Sequence, residues 1–170
     1  MKIRFRWLLA VLSLASAHGL AAESPSAASS SAVRDSATLA VTLQVPYEHT
    51  LTWLADPLHH IAWNSGFFSG PGTRGARWNE ARANVPALGG PVRLRIETHR
   101  SCGAFEVYFA PGTAPFPEPA QVRLVRNGDG VDVLWTIHRA SGASEEEWQG
   151  ARTAMQQSLQ RLKARLEAPH

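Results

Sequence analysis

Cysteine is nearly missing from this chain: Cys102 is the only one among 170 residues. One thiol excludes an internal disulfide, so the fold must stand on its apolar core. The stretch "RSCGAF" around it reads as a turn between strands holding an inert thiol, since no motif surrounds it. Long apolar runs are lacking as well. The run from Trp7 to Ala17 is too short to span a bilayer as a stable anchor. An excess of one charge is also absent once the first residues are set aside. The formal +3 comes from Lys2, Arg4 and Arg6, and the remaining acids and bases balance. Without a basic excess to displace counterions, the high pI gives no support to a nucleic-acid partner. No P-loop, dinucleotide-binding or Ser-His-Asp signature occurs.

What is present begins with an export signal. "MKIRFRWLLAVLSLASAHGLAAES" has a basic start, an apolar run and then small residues, the pattern of a secretory signal peptide. Cleavage is expected after Ala22, with Ala17 the alternative, leaving a periplasmic or secreted chain without a stable membrane anchor. Residues 23–37 are Ser/Ala-rich and too poor in large apolar residues to order themselves, so they read as a flexible leader. The ordered domain is expected over residues 38–168, a length suited to one domain with a real core.

"TLAVTLQV" (38–45) alternates apolar and polar residues with the period of a half-buried strand. Pro46 suits the first position of a helix through "YEHTLTWLA", which should stop near Asp56 because Pro57 disfavours helical geometry before it. "PLHHIAWN" predicts a second short helical turn. Residues 65–90 are rich in Gly, Pro and Asn and predict short strands and turns. "PVRLRIET" (91–98) and "AFEVYFA" (104–110) alternate again, and "APGTAPFPEP" is a Pro-rich loop. "AQVRLVRNGDGVDVLWTIHR" (120–139) reads as two strands joined by "NGDG", a strong hairpin signal.

The last long segment predicts a helix. Ser144 and Glu147 stand in capping-box spacing, and Glu145, Glu146 and Glu147 lie at the positive end of the helix dipole. Trp148, Ala151, Met155, Leu159, Leu162 and Leu166 form one apolar stripe, and Arg161, Lys163 and Arg165 follow in the last turns. The fold class is therefore α+β: a curved antiparallel sheet with short helices after its first strand, its apolar face covered by the C-terminal helix. Such a sheet wrapped round a helix tends to leave space for an apolar ligand.

Two stretches resemble the START-like, or SRPBCC, superfamily of polyketide cyclases, pollen-allergen-type carriers and lipid-transfer domains. "VPYEHTLTWLADPLHHIAWN" is similar to the family's opening strand, proline-started helix and Trp, Asp-Pro, Trp series. "GDGVDVLWTIHRASGASEEEWQGARTAMQQSLQRLKARLE" is similar to its closing hairpin and long helix. The resemblance implies the helix-grip fold and a cavity for a hydrophobic small molecule or lipid. It implies no universal catalytic motif.

Three kinds of candidate site follow. A metal site is disfavoured: His59 and His60 are adjacent, so on a helix they point about 100° apart, and His49 lies outside any standard ligand spacing. No metal or other cofactor is expected. General acid–base chemistry could draw on His60, His99 or His138, with Asp56 and Glu97 as carboxylates. The favoured alternative makes Asp56 a cap before Pro57 and leaves Arg95 and Glu97 as solvated strand residues, so catalysis is not expected. The third candidate is the aromatic set. Trp63, Phe67, Phe105, Phe109, Trp135 and Trp148, with Met155 and Leu159, are expected between sheet and helix, either lining a ligand cavity or filling it. "LHHIAWN" is placed at the cavity mouth, where a histidine could meet a ligand head group. The first reading is a hydrophobic-ligand or lipid carrier. The others are a cyclase or dehydratase using a cavity histidine, and an envelope interaction protein.

Overall fold

A computed structural model describes residues 34–169. The expected signal peptide, and the leader up to residue 33, lie outside the described residues. In chain order the elements are β1 (Ser36–Leu43), α1 (Tyr47–Leu54), α2 (Pro57–Trp63), β2 (Ser69–Arg74), β3 (Glu80–Val85), a helical turn at Pro86–Leu88, β4 (Gly90–His99), β5 (Ala104–Pro111), β6 (Ala120–Asn127), β7 (Gly130–His138) and α3 (Glu145–Leu166). The strands form one seven-stranded antiparallel sheet in the order β1-β7-β6-β5-β4-β3-β2.

β1 begins at Ser36 because Ser36 and Ala37 pair with His138 and Ile137 of β7. It ends at Leu43, where the Gln44 amide leaves the ladder and donates to the Glu167 carboxylate of the C-terminal helix cap at 2.6 Å. Pro46 stands one residue earlier than expected, as the N-cap of α1, with an extended ψ of 141°. Asp56 caps α2, accepting from the Leu58 amide at 2.8 Å, and Pro57 opens that helix. In the glycine-rich middle, β2 is the edge strand, and its pairing with β3 shifts between Ser69 and Thr73. Gly70 sits inside that irregularity with φ of 70°, a conformation glycine adopts without strain.

Alternation along every long strand gives the sheet two unlike faces. Val41, Leu43, Val92, Leu94, Ile96, Phe105, Val107, Val122, Leu124, Val131, Val133 and Trp135 are buried on the inner face. α3 packs on this side, against β1 and α2, and buries Leu159, Leu162 and Leu166. Each fully buried leucine contributes roughly 2 kcal/mol of apolar transfer. Both halves of the predicted capping box are formed, from the Glu147 amide to the Ser144 hydroxyl and from the Ser144 amide to the Glu147 carboxylate.

The outer face departs from the expected row of solvated charges. The loop after β5 folds back so that Phe116 covers Arg93 and Arg95, with guanidinium carbons 4.7 and 4.4 Å from its ring centroid. Tyr108 of β5, edge to face with Phe116 at 5.8 Å, also meets the Arg95 guanidinium at 4.6 Å, and Arg93 donates to the Gly112 carbonyl at 2.8 Å and to that of Ala114. Arg95 is thereby half-buried and pairs with Glu97 at 3.3 Å. Cys102 lies exposed in the turn between β4 and β5, as expected.

Candidate functional site

The three candidate histidines fall on different sides of the sheet. His99 and His138 sit on the outer face and are exposed, and His99 pairs with Glu106 at 3.5 Å. His60 lies inside, only 3 % exposed, deeper than the cavity mouth expected for it. The reason is the helical phase of α2, which turns His60, Ile61 and Trp63 inward and leaves His59 stacked on Trp53 with ring centroids 4.5 Å apart. His60 Nε2 donates to the Leu54 carbonyl at 2.9 Å, which fixes the proton on that nitrogen and leaves Nδ1 as the acceptor. Burial lowers its pKa to about 4, so the ring is neutral near pH 7.

Among the described residues no group of three or more His, Cys, Asp or Glu side chains comes together. Asp56 is taken up by structure. Partial burial works against its ionisation, but the Arg74 guanidinium and the Leu58 amide hold its carboxyl below the usual carboxylate range. Arg74 meets it through two bonds, at 2.8 and 2.9 Å.

His60 is one corner of a buried aromatic triad. Its ring lies 5.9 Å from Trp63 and 5.8 Å from Trp135, and the two indoles meet edge to face at 5.8 Å. Both tryptophans are 2 % exposed, and neither indole N–H has an acceptor among the described residues. A second aromatic group, Phe67, Phe68 and Phe109, has centroid separations of 5.0 to 6.0 Å. Phe67 and Phe109 are only half-buried, as are Met155, Leu39 and Ile137. Phe105 and Leu159 are in the core, and Trp148 is buried at the start of α3.

The half-buried members share one end of the interior. β1 starts there, β7 ends there, and β5 runs on past Ala120, the first residue of β6, so Phe109 stands beyond the β5–β6 ladder. α3 starts at the same end, tied by Arg139 to Glu145 and Asp35, and presents Ala151, Ala154 and Met155 half-buried. At the opposite end Leu43, Leu51, Leu54, Val131 and Leu162 are sealed. A depression of about 340 Å³ on the outer face, bounded by Thr38, Gln121, Arg123 and Thr136 among others, is unconnected with this arrangement.

Sequence reasoning overlooked one cluster. The connector after α2 places Asn64 (7 % exposed) against Ser158 of α3 (5 % exposed). The Ser158 hydroxyl donates to Asn64 Oδ1 at 2.8 Å and accepts from Arg161 Nη2 at 2.7 Å. A signal existed: Ser158 stands three residues after Met155 and four before Leu162, a polar residue on an apolar stripe.

Sheet, short helices and gripping C-terminal helix define an α+β protein of helix-grip architecture. No protein-family model and no curated protein matches the sequence. Solved structures do match the fold. An uncharacterized protein from Bacillus thuringiensis superposes with a TM-score of 0.59 at 11% identity, covering 76% of this chain and 96% of its own. XoxI from Bacillus cereus gives 0.56 at 12% identity, with 79% and 99% covered. The Aha1 dimer from Colwellia psychrerythraea gives 0.54 at 16% identity, with 78% and 96% covered. At these identities the likeness establishes the fold alone.

Proposed function

We propose that this chain is an exported member of the START-like superfamily that carries a hydrophobic small molecule or lipid between its sheet and C-terminal helix. The observation that carries the reading is the exposure gradient along the interior. Phe67, Phe109, Leu39, Ile137 and Met155 stay half-buried at the end where β1 starts and β7 ends, although Val85 and Val92 of β3 and β4 are sealed there. Leu43, Leu51, Leu54 and Val131 are fully buried at the other end, with Val45 and Tyr47 half-buried beyond them. A large apolar surface left partly wet at one end of a rigid grip is a surface a ligand can cover. Transfer of ligand surface out of water supplies roughly 25 cal/mol per Å² before ordering costs. Export to the periplasm or beyond rests on the signal-like residues 1–22.

The test is native mass spectrometry of protein purified without detergent, followed by titration with the neutral fluorophore N-phenylnaphthylamine. A co-purified hydrophobic mass and saturable fluorophore binding are expected, with binding reduced in Met155→Trp, which fills the open end. Empty protein that binds no fluorophore would sink the carrier reading. Unchanged binding by Met155→Trp would move the site elsewhere.

A further inference from the structure

Among the described residues, Arg161 is a cation without a counter-charge at the edge of this interior. The ion pairs among the described residues engage Arg34, Arg74, Arg95, Arg100, Arg126, Arg139, Lys163 and His99, and not Arg161. Its side chain is half-buried, and its Nε is buried without an acceptor. Only Nη2 is engaged, on a Ser158 hydroxyl that is neutral. The guanidinium also occupies space that only a glycine leaves open. A Cβ on Gly66 would stand 2.7 Å from Nη2 and 3.3 Å from the guanidinium carbon.

Its position along the connector gives this its meaning. Asn64 directly follows Trp63 of the buried triad, and Gly66 directly precedes Phe67 at the half-buried end. The guanidinium thus lies beside the short segment that joins the two aromatic groups. Trp63 and Trp135 add two buried N–H donors without acceptors. Neither the Ser158 hydroxyl nor Asn64 Oδ1 beside the guanidinium supplies a negative charge, and a partly desolvated cation there is stabilised by an anion that brings acceptor oxygens with it. A planar guanidinium matches a carboxylate fork, and its single charge balances a single carboxylate better than a phosphate monoester carrying nearly two.

We infer that the carried ligand is an amphipathic carboxylate of the fatty-acid class, its head group paired with Arg161 and its chain along Phe67, Phe109 and Met155. The inference rests on the carrier reading above and names its ligand class. Dodecanoic acid and its methyl ester, competing against N-phenylnaphthylamine at neutral pH, separate the two claims. Wild-type protein should bind the acid about tenfold more tightly than the ester, the size of one charge-assisted hydrogen bond. Arg161→Gln should bring that ratio close to one while leaving ester affinity in place. Gly66→Ala, which displaces the guanidinium without removing its charge, should also lower the ratio and covers the case in which Arg161→Gln fails to fold. Arg165→Gln, the same charge change at an exposed position of α3, should preserve it. Equal binding of acid and ester by wild type, or an unchanged ratio in both Arg161→Gln and Gly66→Ala, overturns the carboxylate inference and leaves the carrier reading standing. Failure of the fluorophore, acid and ester alike to bind overturns both.

Discussion

His60 concentrates the energetics of the interior in one side chain. In the unfolded chain its imidazole titrates near 6.5, whereas burial against Trp63 and Trp135 lowers that to about 4 in the native protein, outweighing the hydrogen bond to the Leu54 carbonyl, which acts the other way. Between those values the unfolded state binds the proton and the native state does not, so acidification favours unfolding. The stabilising contribution is complete above about pH 6.5 and is lost as the pH falls through about 4; below that both states are protonated and this group adds no further slope. At 1.36 kcal/mol per pKa unit the window is worth about 3 kcal/mol. Urea unfolding across this range should show that loss in wild-type protein, and His60→Gln should flatten the slope. A His60→Gln profile that retains the full acid-dependent loss would assign the effect to other groups. The same tautomer argument bears on function. With its proton committed to Leu54, His60 offers the interior an acceptor at Nδ1 and not a cation, which leaves Arg161 as the positive group at the proposed head-group position.

At the scale of elements, the loop after β5 is held by stacking and not by a ladder. Its residues follow the end of β5 at Pro111 and precede β6 at Ala120, and Phe116 anchors them on Arg93 and Arg95. Each exposed cation–π contact is worth about 0.5–1 kcal/mol, so Phe116→Ala should cost about 1 kcal/mol of stability and open residues 112–119 to limited proteolysis. An unchanged cleavage pattern would show that the Arg93 bonds to Gly112 and Ala114 suffice. This loop marks where legibility ends. The α3 boundaries could be read in advance because the Ser144–Glu147 capping box and the stripe ending at Leu166 are local chemistry. The β6–β7 hairpin could be read because "NGDG" sets its own turn. Asp56 as a cap followed from the proline beside it. The cover over Arg95 depends on a residue twenty-one positions away returning across the sheet, which no alternation pattern encodes. Likewise the Asn64–Ser158–Arg161 cluster joins residues ninety-four positions apart. Adjacent spacing set His59 and His60 about 100° apart on a helix, but it could not show which of the two turned inward.

Over the whole molecule, packing is graded along the grip. The later part of α3 is fastened to the sheet: Leu159, Leu162 and Leu166 are buried, Lys163 donates to the Thr42 carbonyl at 2.7 Å, and Glu167 accepts from the Gln44 amide. The earlier part carries Ala151, Ala154 and Met155 half-buried at the same end as Phe67 and Phe109, with fewer buried apolar contacts to break on opening. Local opening free energy follows such contacts, so amide exchange should be faster in α3 from Gln149 to Met155 than from Leu159 to Leu166. A molecule entering at the open end would supply the missing contacts there and little at the sealed end. Hydrogen-exchange mass spectrometry with and without dodecanoic acid should therefore show protection in the first half of α3, the turn carrying Arg161 and the segment around Phe67, and little at Leu166. Uniform protection along the helix would mean that the ligand stabilises the fold globally and not through this end. No protection at the open end, under conditions in which the ligand is bound, would mean that the grip closes on it elsewhere.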